Sequence, residues 1–554
     1  MKKTAWSMGT HLTIFSILAL IAMGPVVAEE SSALDLSLED VVARALEHNL
    51  DIAVARLDPE SQRQAVIQGD AVFDSRVESL LSYNEVKQEP TSSFSLEKRT
   101  TKQAQISYVD PLRTGGSWKA SLSYTDQEAI FPAGSESRFG IVPNTVNASL
   151  SLQFSQPLLK NYGLRINRTQ IEQAKNELKI SEAQFEDRVM EIVEAVEAAY
   201  WDLVGQRRQL NLAQQSLDLA NDFLRQTKIK VDVGTLPPIE ITTAQAEVAS
   251  RDEALIVAEN AVRNAEDSLR ALIRMPESSP DWSRPIFPTD KPAYYKVEID
   301  EQAAIDEALN RRASLVQADY NLKNAELTER WQRNQIRWDL SANGSYAATG
   351  NNFDFVPGVG SQQVMDFFGP DGVFLSGDEE GRVFDVQYPT LVREDQAKSN
   401  ALSEIPDLSN TNWSVSLNLK VPLGNRDARA QHARSRIALK QAALQVDAVR
   451  QALRVEVRQA VRNVETASRR VGSARVNAEL QQKKTAAEQK RYENGLSTAF
   501  QVLQFQRDYL EAKNREISAI IDYNKALSHL ERVKGSLLEA RQIHLASGHA
   551  SVVR

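Results

Sequence analysis

The chain of 554 residues contains no cysteine. Disulfides, thiolate metal sites and the lipid-modified cysteine of a lipoprotein are thereby excluded. Histidine is scarce, with six in all, and His432, His529, His544 and His549 stand among polar or small residues and read as surface positions. There is no nucleophile elbow, helical metal-binding motif or phosphate-binding loop. Catalytic residues, a metal site and a bound cofactor are not expected, and the chain reads as a non-enzyme. Basic residues are the minority, 65 against 74 acidic, for a net charge of −9. That balance argues against a nucleic-acid partner, which basic side chains must neutralise. Nowhere beyond the N-terminus do apolar residues approach the ~18 in succession of a transmembrane helix. Any membrane crossing must then be a closed β-barrel, which leaves no backbone polar group unpaired in lipid.

The N-terminus carries an export pattern. Lys2 and Lys3 precede an apolar run from Leu12 to Met23, the breaker Gly24-Pro25, and Val26-Val27-Ala28. Residues 1–28 read as a signal peptide cleaved after Ala28, the apolar run being too short to span a bilayer.

Two stretches about 260 residues apart read alike, the mark of a structural module used twice. Ser37–Ala55 resembles Glu301–Ala318, Asn147–Leu159 resembles Asn412–Gly424, and Lys230–Val248 resembles Arg491–Tyr509. The domain reading follows: a first repeat over 29–275, a proline-rich connector over 276–296, a second repeat over 297–535, and a tail over 536–554. Each repeat is expected to run short helix pair, strands, very long helix, glycine break and medium helix.

From Asn167 to Val231 and from Arg426 to Tyr492 there is no proline and a single glycine each, Gly205 and Gly472. Two helices of about 65 residues, on the order of 100 Å long, are predicted; the returning helices are Ile239–Leu272 and Ser497–Lys534. Leu203, Leu210, Leu217, Leu224 and Val231 recur every seven residues, as do Val457, Val464, Val471 and Ala478. Sustained sevens mark left-handed coiled coils. On the last helix Leu503, Leu510 and Ile517 form one series, and Ala512, Ala519 and Ala526 another, offset by about 200°. A helix with two seams has a neighbour on each side, as in a tube wall. Gln481, Lys483, Lys484 and Glu488, on the long helix before it, are assigned to polar faces. Periodicity alone also fits a two- or four-helix bundle.

Alternating segments carry the strand signal: Ser75–Tyr83, Lys102–Asp110, Ser117–Thr125 and Asn147–Ser155 in the first half, Asp339–Ala347 and Asn412–Lys420 in the second. Each is about nine residues, as barrel strands are, although a soluble sandwich shares the pattern. The connections Glu85–Thr101, Asp126–Asn144 and Thr349–Thr411 are long and polar, whereas Pro111–Gly116 is a tight turn. If the hairpin flanking that turn enters a barrel, each chain gives six strands and a trimer eighteen; if not, four and twelve. Either is too few for one chain to close, and exposed edges favour a cyclic oligomer. Trp118, Tyr124, Tyr346 and Trp413 lie near strand ends, where an interfacial girdle would place them.

With these residues in view, the chain resembles the TolC family of outer-membrane efflux proteins. The resemblance rests on the Ser37–Ile52 opening, the Ser155–Leu159 junction and above all Arg491–Leu530, with a Tyr three before a Gly, then Gly-Leu-Ser, Gln-Arg and Tyr-Asn-Lys-Ala. It implies an α+β membrane protein with an internal two-fold repeat. A trimeric outer-membrane β-barrel would continue into a long periplasmic α-helical coiled-coil barrel. It implies a homotrimer in outer-membrane lipid that serves a periplasmic adaptor (membrane fusion) protein and an inner-membrane transporter in efflux or type I secretion.

Gly234 and Gly495 would be the tips of helical hairpins, where reversal needs positive φ, and Pro237-Pro238 would open the returning helix. Val233, Gly234, Thr235, Gly495, Leu496 and Ser497 would meet the adaptor. The resemblance places a periplasmic gate at Glu240, Tyr492, Gln501 and Gln504. Gln501 and Gln504 stand where family members commonly carry acids, so an acidic ring would fall to Glu240. Ser497 replaces an Arg of the family's lock, leaving Tyr492 and Glu240 as its surviving pair. The competing reading is a periplasmic coiled-coil scaffold or adaptor, which has no use for duplicated alternating strands.

Overall fold

The computed structural model describes residues 33–89, 91, 97–130, 144–275, 281–292, 294–351, 356–366, 382–392, 401–402, 405, 410–546 and 549–552. The signal segment expected over 1–28 lies outside them, as do 131–143 within the second expected loop. Two compact units are formed, one from the described parts of 1–48, 195–293 and 474–521, the other from 49–194, 294–473 and 522–554. Each unit takes segments from both parts of the chain.

Side-chain caps start the short helices. In α1 (Leu38–His48), Ser37 Oγ accepts from Asp40 N at 3.1 Å and Ser37 N donates to Asp40 Oδ2 at 3.2 Å, a reciprocal cap. Asn49 caps α2 (Leu50–Asp70) by accepting from the amides of Asp51 and Ile52. One turn, α3 (Leu164–Asn167), precedes α4 (Thr169–Asp232) of 64 residues, and α5 (Ile239–Ile273) returns. In the later half Asp300 caps α6 (Glu301–Arg311), followed by α7 (Ala313–Gln335), α8 (Arg426–Glu493) of 68 residues, α9 (Ala499–Lys534) and the short α10 (Leu537–Ala540). The long helices end within two residues of the bounds expected from the absence of proline.

The heptads are buried as expected in α8, where Val457, Val464, Val471 and Ala478 are at most 3% exposed. In α4 Leu203 is buried, while Leu210, Leu217, Leu224 and Val231 are half-buried in the single chain. On α9 Leu503 and Ile517 of one series and Ala512 and Ala519 of the other are buried, while Leu510 and Ala526 are half-buried in the single chain. Glu488 corrects the reading of α8, since it is 4% exposed rather than on a polar face.

In the first unit the connector is tied down. Strand β1 (Leu34–Leu36) pairs in parallel with β6 (Ile286–Pro288). Tyr200 of α4, fully buried, bonds the Leu36 carbonyl at 3.2 Å and Asp290 Oδ2 at 2.7 Å, and Asp290 in turn accepts from Leu38 N at 2.7 Å. Burial, and then the Asp290 carboxylate, push the Tyr200 phenol well above its ordinary pKa. Beside it Glu266 accepts from Arg207 at 2.6 Å and Arg270 at 3.1 Å, and Arg207 lies 3.7 Å from the Phe287 ring centroid.

The second unit is built on one six-stranded antiparallel sheet ordered β10-β7-β5-β4-β3-β2. Its strands are β2 (Arg76–Lys87), β3 (Lys98–Pro111), β4 (Ser117–Ile130), β5 (Asn144–Pro157), β7 (Asp339–Asn351) and β10 (Thr411–Lys420). They run 10 to 14 residues, longer than the nine expected, because alternation fades at the charged strand ends while backbone pairing continues. The expected loop from Thr349 to Thr411 is also corrected: β8 (Val356–Asp366) and β9 (Arg382–Val392) pair in it as a hairpin. The tail carries a second small hairpin, β11 (Ile543–Ala546) with β12 (His549–Val552).

Helices of this unit are joined by ion pairs. Arg312, 8% exposed, reaches Asp187 at 3.0 Å and Glu456 at 3.4 Å. His432 and His529 are corrected from surface positions to paired, partly buried ones, at 2.8 Å from Glu329 and Glu194 respectively.

Candidate functional site: a two-faced sheet and two helical hairpin tips

The register sorts every side chain of the six-stranded sheet onto one of two faces, because residues directly opposite share a face and alternate along a strand. Val77, Tyr108, Ala120, Leu152, Tyr346 and Trp413 form one continuous row from β2 to β10. The parallel row Ile106, Leu122, Leu150 and Ala348 lies on the same face, and so do Leu81, Phe154, Val415 and Leu417. Much of this face is bare: Leu81 is 84% exposed, Val415 75%, Trp413 and Leu417 71%. At the end of β5 nearer residue 144, Ala401 and Ile405 cover Val146, Ala148 and Ala348. Trp118, Tyr124, Tyr346 and Trp413 all belong to this face.

The opposite face is mostly hydroxyls and amides, with Leu80 and Val86 of β2 also exposed on it. Ser121 meets Ser151 at 2.6 Å, Ser123 meets Ser149 at 2.7 Å, Ser345 meets Ser414 at 2.8 Å, and Ser155 donates to Asn343 at 2.8 Å. Gln103, Gln105, Gln153, Ser416 and Asn418 share it. A water-soluble sheet that hides one face hides its apolar face. Here exposed apolar residues stand on that face in β2, β3, β4, β5 and β10, as in a sheet whose solvent is lipid on one side and water on the other. No helix among the described residues is long and apolar enough to cross a membrane.

The tips belong to the first unit. After α4, Gly234 takes φ 78°, its amide bonds the Val231 carbonyl at 2.9 Å, and Thr235 N bonds the Lys230 carbonyl at 2.8 Å. After α8, Gly495 takes φ 74°, its amide bonds the Tyr492 carbonyl at 3.1 Å, and Leu496 N bonds the Arg491 carbonyl at 2.8 Å. Both are the same left-handed glycine cap, the six-to-one bond closing the helix end. Apolar side chains stand bare around them: Val233 67%, Ile239 64%, Leu496 70% and Phe500 64% exposed.

Under the tips the four long helices share a small core of Phe223, Ala244, Tyr492, Ala499, Val502 and Leu503, with Leu224 and Leu236 packed against it. Tyr492 is 3% exposed, 5.6 Å from the Phe223 ring centroid, with the Lys230 ammonium 4.0 Å over its ring. Burial pushes the phenol up in pKa; the Thr227 hydroxyl opposes and the Glu240 carboxylate adds to the rise. Tyr492 and Glu240 therefore share one neighbourhood, without a hydrogen bond to the Tyr492 hydroxyl.

Gln501 and Gln504 are exposed on α9; Gln504 donates to Asp508 at 3.1 Å. Ser497 donates to buried Glu488, which also accepts from Arg491 at 3.1 Å, and lies 3.0 Å from the Gln501 side-chain amide. Sequence reasoning missed Glu488, Thr227 and Lys230; the spacing of Glu488 three before Arg491 was the available signal for the first.

One unit thus carries a sheet with an apolar and a polar face, and the other paired long helices closed by matching glycine tips. The comparisons agree. The outer membrane efflux protein family matches over residues 135–273 and 388–536, more than half of the chain. In solved structures the chain is similar to a membrane protein from Pseudomonas aeruginosa at 16% identity and TM-score 0.61, covering 91% of this chain and 92% of that one. It is similar to the VceC outer membrane protein of Vibrio cholerae at 14% identity and TM-score 0.59, covering 90% and 96%. The CmeC outer membrane channel of Campylobacter jejuni matches at 13% identity and TM-score 0.59, covering 90% and 86%. No curated protein sequence matches.

This chain belongs to the outer membrane efflux protein family. Its class is that of the outer-membrane efflux channel, a transport conduit and not an enzyme, as the resemblance to TolC implied.

Proposed function

We propose that three copies of this chain form a passive duct, the outer-membrane component of a tripartite efflux or type I secretion system. The six-stranded sheet of each copy lines a shared barrel, and the long helices continue it into the periplasm. The observation that carries this reading is the bare apolar face opposite a hydroxyl face, on a sheet whose two edges, β2 and β10, are both unpaired among the described residues. Lipid accepts no unpaired edge, so the sheet must close on copies of itself.

The tips are the proposed meeting point with the periplasmic adaptor. Bare Val233 and Leu496 flank Gly234, Thr235, Gly495 and Ser497, and clustered exposed apolar residues mark contact surfaces. A groove of about 350 Å³ farther along the same helices, lined by Leu219, Phe223, Thr485, Gln489, Gln506 and Tyr509, offers further room. Glu240 supplies the charge of the gate, with Tyr492 beneath it and Gln501 and Gln504 neutral. The pump provides energy and most selectivity.

Fractionation and gel behaviour test the reading: the protein should sediment with outer membranes, run as a heat-sensitive trimer and conduct ions in planar bilayers. Soluble periplasmic behaviour would instead favour a scaffold. The gate has its own test, since Glu240→Gln should change single-channel conductance and cation blockade; unchanged values would remove Glu240 from the gate.

A further inference from the structure

The sheet order bears on how many strands of each copy stand in the wall. Strands β3 and β4, which flank the tight turn at Pro111–Gly116, do not lie at a margin. They sit between β2 and β5, paired along their length: Arg76–Lys87 with Lys98–Val109, and Ser117–Glu128 with Asn144–Ser155. Removing this hairpin from the wall would tear two complete ladders and strand β2 alone. The apolar face also continues without a break through β3 and β2, by Ile106, Tyr108, Val77 and Leu81.

The edges are complementary. Six antiparallel strands alternate in direction, so β10 and β2 run oppositely. Strand β10 of one copy can therefore pair antiparallel with β2 of the next and keep the alternation. Both edges are open, and β10 carries no charge from Thr411 to Leu419 and no proline. Edges left in water are normally blunted by such residues; this one is built to be paired.

We infer that the seam between copies is β10 against β2, and that all six strands of every copy stand in the membrane wall. This rests on the trimeric reading above and deepens it. Three copies of the six-stranded sheet close eighteen strands. With strands ~4.8 Å apart and tilted ~40°, the barrel is about 36 Å across, against about 24 Å for twelve strands. Its middle rows are uncharged, from Gln103, Gln105 and Ser107 through Ser121 and Ser123 to Ser149 and Ser151; Glu78, Arg99, Lys119 and Lys420 stand nearer the strand ends. Such a lumen passes bulky hydrophilic solutes without selecting the sign of their charge.

The cysteine-free chain permits a direct test by disulfide cross-linking in isolated outer membranes. Val415→Cys or Leu417→Cys on β10 is combined with Ser79→Cys or Leu81→Cys on β2, the four lying on one face. At least one combination should convert most of the monomer band to a covalent trimer under mild oxidation, reversed by reductant. Leu122→Cys on β4 replaces the β2 partner in the control. Cross-linking of β10 to β4 between copies would mean that β2 and β3 stand outside the wall and leave twelve strands, and would overturn the inference, as would failure of all four β10–β2 combinations. The cysteine-free parent is scored first for outer-membrane fractionation and trimer formation. If it fails there, the duct reading falls; if it passes and the seam does not cross-link, only the seam falls.

Discussion

Leu417 and Ser416 are neighbours on β10 and both are exposed in the single chain, yet the two-faced sheet assigns them opposite solvents. Placing Arg at each therefore separates the faces with little change of position. Strand β10 covers Thr411–Lys420. At ~3.4 Å per residue and ~45° tilt its height is about 24 Å, close to the ~25 Å apolar band of an outer-membrane wall. Leu417 lies about 4 Å from the middle of that span, near the depth where Arg on the lipid face costs ~2–4 kcal/mol. We expect Leu417→Arg to destabilise by ~2–3 kcal/mol per copy, and Ser416→Arg, facing water, by under ~0.5 kcal/mol. Any disturbance of the seam is common to both, so the difference reports the face. Urea titration of folding into lipid vesicles, followed by heat-modifiable gel mobility, measures it. Equal and small effects would mean that both residues face water and would refute the assignment.

Further expectations concern the units separately. Tyr200→Phe removes the bond to Asp290 and leaves that carboxylate short of a donor, so thermal unfolding should show a loss of ~1–3 kcal/mol. Gly495→Ala meets no atom within 4 Å, so only its positive φ opposes the change; a cost of ~1–2 kcal/mol should speed amide exchange around the tip about 5–30-fold. Burial opposes charge on Glu194, but His529 and Arg532 hold its carboxyl below the usual range. A depressed folded pKa gives stability that is full above the unfolded value near ~4.3 and lost as pH falls through the folded one. Glu194→Gln should therefore lower stability at pH 7 by ~1–2 kcal/mol, with a penalty that shrinks in acid; an unchanged penalty at pH 3 would deny the ion pair its role.

The helices were readable because their signals are local. Proline and glycine placement set their ends, and the sevens of Val457, Val464 and Val471 showed the buried line that the structure has. The tips were readable for the same reason, since a left-handed cap asks for Gly234 and Gly495. Strand existence followed from alternation; sheet order did not, because pairing β5 with β7 joins segments almost two hundred residues apart. The β8–β9 hairpin was read as loop, its Gly, Pro and Asp content outweighing its short alternating runs. Glu488 was placed on a polar face because nothing local announces Ser497 and Arg491 as its partners; the reversal at Gly495 brings Ser497 back to it. The connector's parallel pairing with β1 likewise depends on residues about 250 apart.

Single cysteines along β5 test the central claim most directly. In outer membranes, a water-soluble maleimide should label cysteine at Ser149, Ser151 and Gln153 and spare it at Leu150, Leu152 and Phe154, giving a period of two. Equal labelling at all six positions, or protection of the serine positions instead, would contradict a sheet set between lipid and a water-filled lumen.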